Sequence, residues 1–181
     1  RSQVDAILVV GLGADFAVIR KNMSRANVKV PLFGSTGAVT APYLEGAGDL
    51  AIGTRSVSPD AFGKRPLSAY AQNFVDQYRA AHGTDRWYGS DAANPQISMA
   101  AIVGNAYDCA VVLLDASRRA GSTEPAAVIA ALNQTKGLAG IAVPSITLTA
   151  QIHEAFKPED LGLFEINKSA AGALYLKPVV E

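Results

Sequence analysis

The sequence predicts an α/β fold built on an open parallel sheet, with a trailing antiparallel element. Three observations predict it. Val4-Asp5-Ala6-Ile7-Leu8-Val9-Val10 is an apolar run of the kind found in strands covered on both faces, and a glycine turn, an amphipathic segment and a second apolar run follow it. Strand and helix signals alternate through the first half, whereas the second half gives helices first and strands afterwards. The chain has 181 residues, 49% of them hydrophobic and 18% charged. A chain of this length buries roughly 70% of its unfolded surface and needs neither disulfide nor structural metal to do so.

Residues 4 to 34 read as one β-α-β unit. After the first strand, Gly11-Leu12-Gly13 turns the chain into a helix from Ala14 to Ala26, with Phe16, Ile19 and Met23 on one face. Arg20, Lys21 and Arg25 lie toward its C-terminal end, where cations favour the helix dipole. Val28 to Phe33 forms the second strand, and a right-handed crossover joins the pair. A short helix around Tyr43 precedes a third strand at Leu50 to Val57. Pro66 starts a helix to His82 with Leu67, Tyr70, Phe74, Tyr78 and Ala81 on one stripe, and Gly83 caps it. Residues 83 to 94 are polar and irregular, a crossing segment.

Asn94-Pro95 then opens a long helix to Arg119, expected to bury Met99, Ile102, Val103, Ala106, Ala110, Leu113 and Leu114. A further helix from Pro125 to Asn133 buries Val128, Ile129 and Leu132. Beyond Gly140 the texture changes to strands at Ile141–Thr149, Leu161–Ile166 and Ala173–Val179, the last two paired through a turn at 167–172.

Composition removes several functions. With 16 basic and 16 acidic side chains, the net charge is +0, so no general attraction to a nucleic-acid backbone exists. The longest apolar runs fall far short of the ~20 residues of a membrane helix. Cys109 stands alone among small apolar neighbours and is expected to be a buried, inert thiol. His82 and His153 have no partner at zinc-ligand spacing, and no metal or cofactor is expected. Gly11-Leu12-Gly13 lacks the third glycine of a dinucleotide loop, since Phe16 stands in its place, and no acid ends the second strand. A nucleophile–base–acid set is equally lacking, so the chain is not expected to be an enzyme. The sequence starts at Arg1 and enters a strand at once, and the expectation is that a preceding portion has been removed.

In an open parallel sheet, ligands bind at the carboxyl ends of the strands. That edge consists of Gly11–Asp15, Ser35–Thr40 and Ser56–Asp60, three loops of small, hydroxyl-bearing residues and glycines. Backbone N–H groups and hydroxyls there suit a small polar or anionic ligand. Glycines alone would also serve as tight turns.

These elements, taken in order, resemble one known family. The series runs from the Val4–Val10 strand with its glycine turn, through Val30-Pro31-Leu32-Phe33-Gly34 and Ala47-Gly48-Asp49-Leu50-Ala51-Ile52-Gly53, to Phe74-Val75-Asp76-Gln77-Tyr78. Ala106-Tyr107-Asp108-Cys109-Ala110, Gly137-Leu138-Ala139-Gly140 and Gln151-Ile152-His153-Glu154 complete it. The chain resembles the later part of a type I periplasmic binding protein, of the branched-chain amino acid (Leu/Ile/Val-type) receptors of ABC transporters. The resemblance implies two α/β lobes closing on a ligand in the cleft between them. Residues 1–88 would belong to the C-terminal lobe, 89–157 to an incomplete N-terminal lobe, and 158–181 to the C-terminal lobe again. The partners implied are a small molecule (an amino acid, an aromatic or aliphatic carboxylate, or an amide), a membrane permease, and the missing N-terminal half of the same protein. The implied location is periplasmic or extracellular-facing, and the alternative role is that of a ligand-sensing module in a signalling receptor.

Carried over residue by residue, the resemblance places ligand contacts at Leu12 or Gly13, at Thr36 and at Tyr107, and Ser35 joins them as a candidate from the strand-end loop. It also exposes a departure. The family's acid that pairs with a ligand ammonium is replaced by Thr36, which makes a free α-amino acid a poor fit and a neutral or carboxylate-bearing ligand a better one.

Overall fold

The computed structural model describes residues 4–59, 67–82, 100–170 and 172–179. The chain divides into two compact units: Arg1–Ser58, His82–Met99 and Gly162–Glu181 form the first, and Pro59–Ala81 with Ala100–Leu161 the second.

The first unit carries a five-stranded sheet in the order β1-β2-β3-β4-β5: β1 Ile7–Val9, β2 Leu32–Gly34, β3 Arg55–Pro59, β4 Leu161–Lys168 and β5 Leu174–Pro178. β1, β2 and β3 run parallel, with Ile7 opposite Leu32 and Phe33 opposite Arg55, while β4 and β5 form an antiparallel hairpin. The expected class, a parallel sheet with an antiparallel trailing element, is what forms. Helices α1 (Gly13–Arg25) and α2 (Ala41–Ala47) supply the cover for one face. The α1 stripe behaves as its spacing requires: Phe16 and Met23 are buried and Ile19 packs against the same core, alongside Leu32, Tyr43, Leu44 and Ile166. Asn27 adopts φ 52° beyond the end of α1, and the Val28 N–H donates back to the Met23 carbonyl at 2.8 Å, closing the helix.

Polar ties fix the sheet's surroundings. The Tyr43 and Thr54 hydroxyls lie 2.6 Å apart in the interior, and burial raises the Tyr43 phenol above its ordinary pKa. Arg55 Nε donates to Glu165 Oε2 at 2.9 Å, and this bond holds the Glu165 carboxyl below its usual range.

Two expectations need correction here. The third strand starts at Arg55 rather than Leu50, because Gly48–Ala51 forms a 3₁₀ turn and Gly53 takes φ 81°. The first strand is not covered on both faces either. Leu8, which alternates with the core-facing Ile7 and Val9, is 74% exposed, because α1 and α2 pack only on the opposite side.

The second unit contains α3 (Ala69–His82), α4 (Ala100–Ala120) and α5 (Pro125–Leu132). Arg119 ties α4 to the end of α5 and the turn beyond it. Its Nε donates to Asp115 at 2.8 Å, Nη1 to the Ala131 carbonyl at 2.7 Å, and Nη2 to Thr135 Oγ1 at 2.8 Å. Val112, Val143 and Ile146 form a small core with Leu132, Leu138, Leu148 and Phe156 around it.

The strand expected at Ile141–Thr149 is absent, and only an isolated bridge joins Leu138 to Ile146. Its N–H groups are already taken. Asp108, buried on α4, accepts from Ile141 at 2.7 Å through Oδ1, and from Ala142 at 2.9 Å and Val143 at 3.1 Å through Oδ2. A backbone wrapped on a carboxylate cannot also form a ladder. The expected buried face of α4 is corrected too. The helix buries Asp108, Val112 and Ala116, whereas Ile102, Leu113 and Leu114 are 45%, 52% and 58% exposed. Cys109, expected to be buried, is likewise exposed, and so is Ile129 on α5. The expected helix start at Asn94-Pro95 and the Gly83 cap lie outside the described residues.

Candidate functional site

The loops at the carboxyl ends of β1 and β2 are stitched together by their own backbone. The Ser35 N–H donates to the Val9 carbonyl at 3.1 Å, continuing the β1–β2 ladder past the strands. Ser35 Oγ accepts from the Gly11 N–H and donates to the Gly11 carbonyl, each at 3.4 Å. One strand further along, Ser56 Oγ donates to the Ser35 carbonyl at 2.8 Å. Ser35 is therefore a clasp between adjacent turns as well as a hydroxyl on the edge.

The glycines of this edge are required by packing. A side chain at Gly13 would collide with Thr40 Oγ1, and one at Gly37 with the Gly11 carbonyl. At Gly34 a Cβ would stand 2.6 Å from the Ala38 Cβ and 2.7 Å from the Phe16 ring. The turns after β1 and β2 thus nest against each other and bring their backbones close. Gly13 is the buried first residue of α1, while Leu12 before it is 75% exposed. Thr36 is half-buried and opens the 3₁₀ turn Thr36–Val39, with Ser35 before it. Asp15, in the first turn of α1, stands where a helix N-terminus favours an acid. So Leu12, Gly13, Ser35 and Thr36 share one edge of the sheet. The third expected loop, Ser56–Asp60, is corrected: Ser56–Pro59 belong to β3, and Asp60 lies outside the described residues.

Tyr107 belongs to the second unit, half-buried on α4. Its hydroxyl is 3.1 Å from that of Tyr70, and its ring meets Phe74 edge-on with centroids 4.8 Å apart. The hydrogen bond to Tyr107, then burial, then the charge of Asp108 push the Tyr70 phenol up to about 12. Sequence periodicity alone places Tyr70 in a core stripe; its spacing on α3 holds no sign of a polar partner on α4. Among the described residues no group of three or more His, Cys, Asp or Glu could hold a metal ion. A cavity of about 470 Å³ lined by Arg20, Lys29, Pro31, Leu50 and Arg55 opens at the amino ends of the strands, away from this edge.

The model of the family described as periplasmic binding protein matches residues 1–171. The chain belongs to the periplasmic binding protein family. It is 43% identical to a type 1 periplasmic binding protein from Bordetella pertussis Tohama I, with a TM-score of 0.86, over 97% of this chain and 46% of that one. A leucine-binding protein from Thermotoga maritima matches at 21% identity and TM-score 0.69, covering 98% of this chain and 45% of that one. A branched-chain amino acid transporter substrate-binding protein from Streptococcus pneumoniae, solved with isoleucine, matches at 20% and 0.66, covering 98% and 46%. These last two likenesses concern the fold. No curated protein matches the chain. The chain spans about half the length of the solved relatives it matches.

Proposed function

We propose that this chain is part of an extracytoplasmic solute-binding receptor that delivers a small polar or carboxylate-bearing metabolite to a membrane permease of the ABC type. Family membership supports a binding role rather than a catalytic one, and the edge formed by Leu12, Gly13, Ser35 and Thr36 supplies the surface. Tyr107 is the contact proposed on the second unit. The observation that carries the ligand class is Thr36: it opens the turn after β2 as a half-buried neutral hydroxyl. A ligand ammonium brought there would lose its water without gaining a carboxylate, at a cost of several kcal/mol. A carboxylate, amide or neutral hydroxyl compound meets no such penalty and finds donors in Thr36 and the surrounding backbone.

The full-length receptor, screened by calorimetry against paired compounds that differ only in an α-ammonium, tests this. Tighter binding of the members lacking the ammonium is the expected result. Preference for free amino acids throughout would overturn it.

A further inference from the structure

We infer that the basic cavity at the amino ends of β2 and β3 is a second binding site, for a phosphate monoester, at the opposite end of the strands from the ligand edge. The inference does not depend on what that edge binds.

Three cations meet at the cavity from three parts of the first unit: Arg20 from α1, Lys29 from the segment between α1 and β2, and Arg55 from the start of β3. Among the described residues, none that lines it is acidic. The whole chain balances 16 basic against 16 acidic side chains, so this is a local concentration of positive charge in a neutral protein. Glu165, bonded to Arg55, is the one carboxylate paired with any of the three among the described residues. Three cations against one carboxylate leave a charge of +2.

Two of the cations are held in ways that leave their outer nitrogens open. Arg20 donates through Nε to the Leu50 carbonyl, and Arg55 through Nε to Glu165 Oε2 at 2.9 Å. The Nη1 and Nη2 groups of both, and Nζ of Lys29, make no hydrogen bond among the described residues. A guanidinium fixed in this way presents a planar pair of donors, which matches two oxygens of one phosphate. Ser24 and Asn27 add a hydroxyl and an amide to the lining. The carbonyls at the end of α1 are already engaged: those of Asn22, Met23 and Ser24 accept from Ala26, Val28 and Asn27.

Charge and size select the ligand. A phosphate monoester carries about −1.5 to −2 at neutral pH, which balances the cavity, whereas one carboxylate would leave a cation unmatched. The volume of about 470 Å³ falls within the roughly 300–1,000 Å³ of small-molecule sites and leaves room for more than an inorganic ion. Val28, Val30, Pro31 and Ile52 offer the organic part of the ester an apolar wall. Such a group is found on soluble phosphate esters and on the headgroup of phosphatidic acid.

The full-length receptor is titrated by calorimetry with phenyl phosphate and with inorganic phosphate at low salt, where exposed cations are least screened. The expected result is saturable binding of phenyl phosphate, at least about 5-fold tighter than that of inorganic phosphate because of the apolar wall. Lys29→Gln should weaken it at least about 10-fold, and this side chain is exposed and without a hydrogen bond among the described residues, so the fold is left intact. Arg20→Lys, which keeps the charge and loses the fork, should weaken it too, while Thr36→Asp at the other end of the strands should leave it unchanged. Flotation with phosphatidylcholine vesicles containing phosphatidic acid separates the sources: retention that is lost in Lys29→Gln assigns the headgroup, and no retention beside phenyl phosphate binding assigns a soluble ester. No saturable binding of phenyl phosphate, binding no tighter than that of inorganic phosphate, or full binding in Lys29→Gln overturns the inference. So does binding lost in Thr36→Asp, which would place the anion at the ligand edge.

Discussion

The carboxylate of Asp108 occupies the space that a side chain on Gly140 would need: a Cβ there would stand 2.6 Å from Oδ2 and 2.5 Å from the Val143 carbonyl oxygen. The two residues are one device. Gly140 lets the chain approach α4 closely enough for three successive N–H groups to reach one carboxylate. Gly140→Ala is expected to destabilise the chain by about 2 kcal/mol or more, through overpacking and loosened hydrogen bonds. Asp108→Asn keeps the shape but turns an amide NH₂ toward at least one of those donors, and should cost about 1.5–3 kcal/mol. Urea unfolding of both variants checks this, with the loss appearing in the midpoint at an unchanged slope.

A second buried pair links α2 to the start of β3. Tyr43 is fully buried, Thr54 is 1% exposed, and their hydroxyls lie 2.6 Å apart. Tyr43→Phe deprives the Thr54 hydroxyl of this partner and should cost about 1–3 kcal/mol, while adding Thr54→Val should recover part of that loss. The same site sets an alkaline limit. Burial raises the Tyr43 phenol above 10.0, so the unfolded chain gives up this proton first. Above pH 10 the unfolded state therefore binds fewer protons than the folded one, and stability falls as pH rises. In Tyr43→Phe that alkaline decline should be shallower, as measured by unfolding at a series of pH values.

On the second unit the hydroxyl pair predicts a spectroscopic signature. Tyr70 titrates at about 12 chiefly because Tyr107 is hydrogen-bonded to it. In Tyr107→Phe that bond is gone, and the raised phenol should move back toward the ordinary value near 10. Ultraviolet titration of phenolate absorbance reads the change directly. An unchanged high-pH step would show that burial, not the hydroxyl pair, sets the titration.

Some of this was legible in the chain and some could not be. α1 was readable because everything needed is local: a glycine turn, a stripe at 16, 19 and 23, and basic residues near its end. The β4–β5 hairpin was equally local, two apolar runs around a polar turn. The 141–149 segment failed because its β-branched residues and threonines describe strand propensity, whereas its fate depends on a carboxylate 33 residues away at Asp108. The outward face of α4 misled for another reason. Periodicity reports that Ile102, Leu113 and Leu114 suit burial, and says nothing about whether the chain contains what buries them. At the candidate site, the positions of Leu12, Ser35 and Thr36 on one edge followed from strand order. The packing of Gly13 and Gly37 against neighbouring turns did not, because turn glycines and close-approach glycines look alike in sequence.

The most direct probe of ligand class is Thr36→Asp in the full-length receptor. Residue 36 is the first residue of the 3₁₀ turn, directly after the N-cap Ser35, where an acid faces unpaired backbone N–H groups and is favoured. The substitution replaces a neutral hydroxyl of similar size by a carboxylate and leaves the nested glycines and the Ser35 clasp in place. If Thr36 faces the ligand, compounds bearing an ammonium should gain at least about 10-fold in affinity relative to their carboxylate-only counterparts, equivalent to about 1.4 kcal/mol. The anionic ligands should weaken at the same time, because two carboxylates would then share one poorly solvated site. Paired calorimetric titrations measure both changes. An unaltered preference across the pairs would remove Thr36 from the binding surface, and with it the argument that the missing acid selects against amino acids.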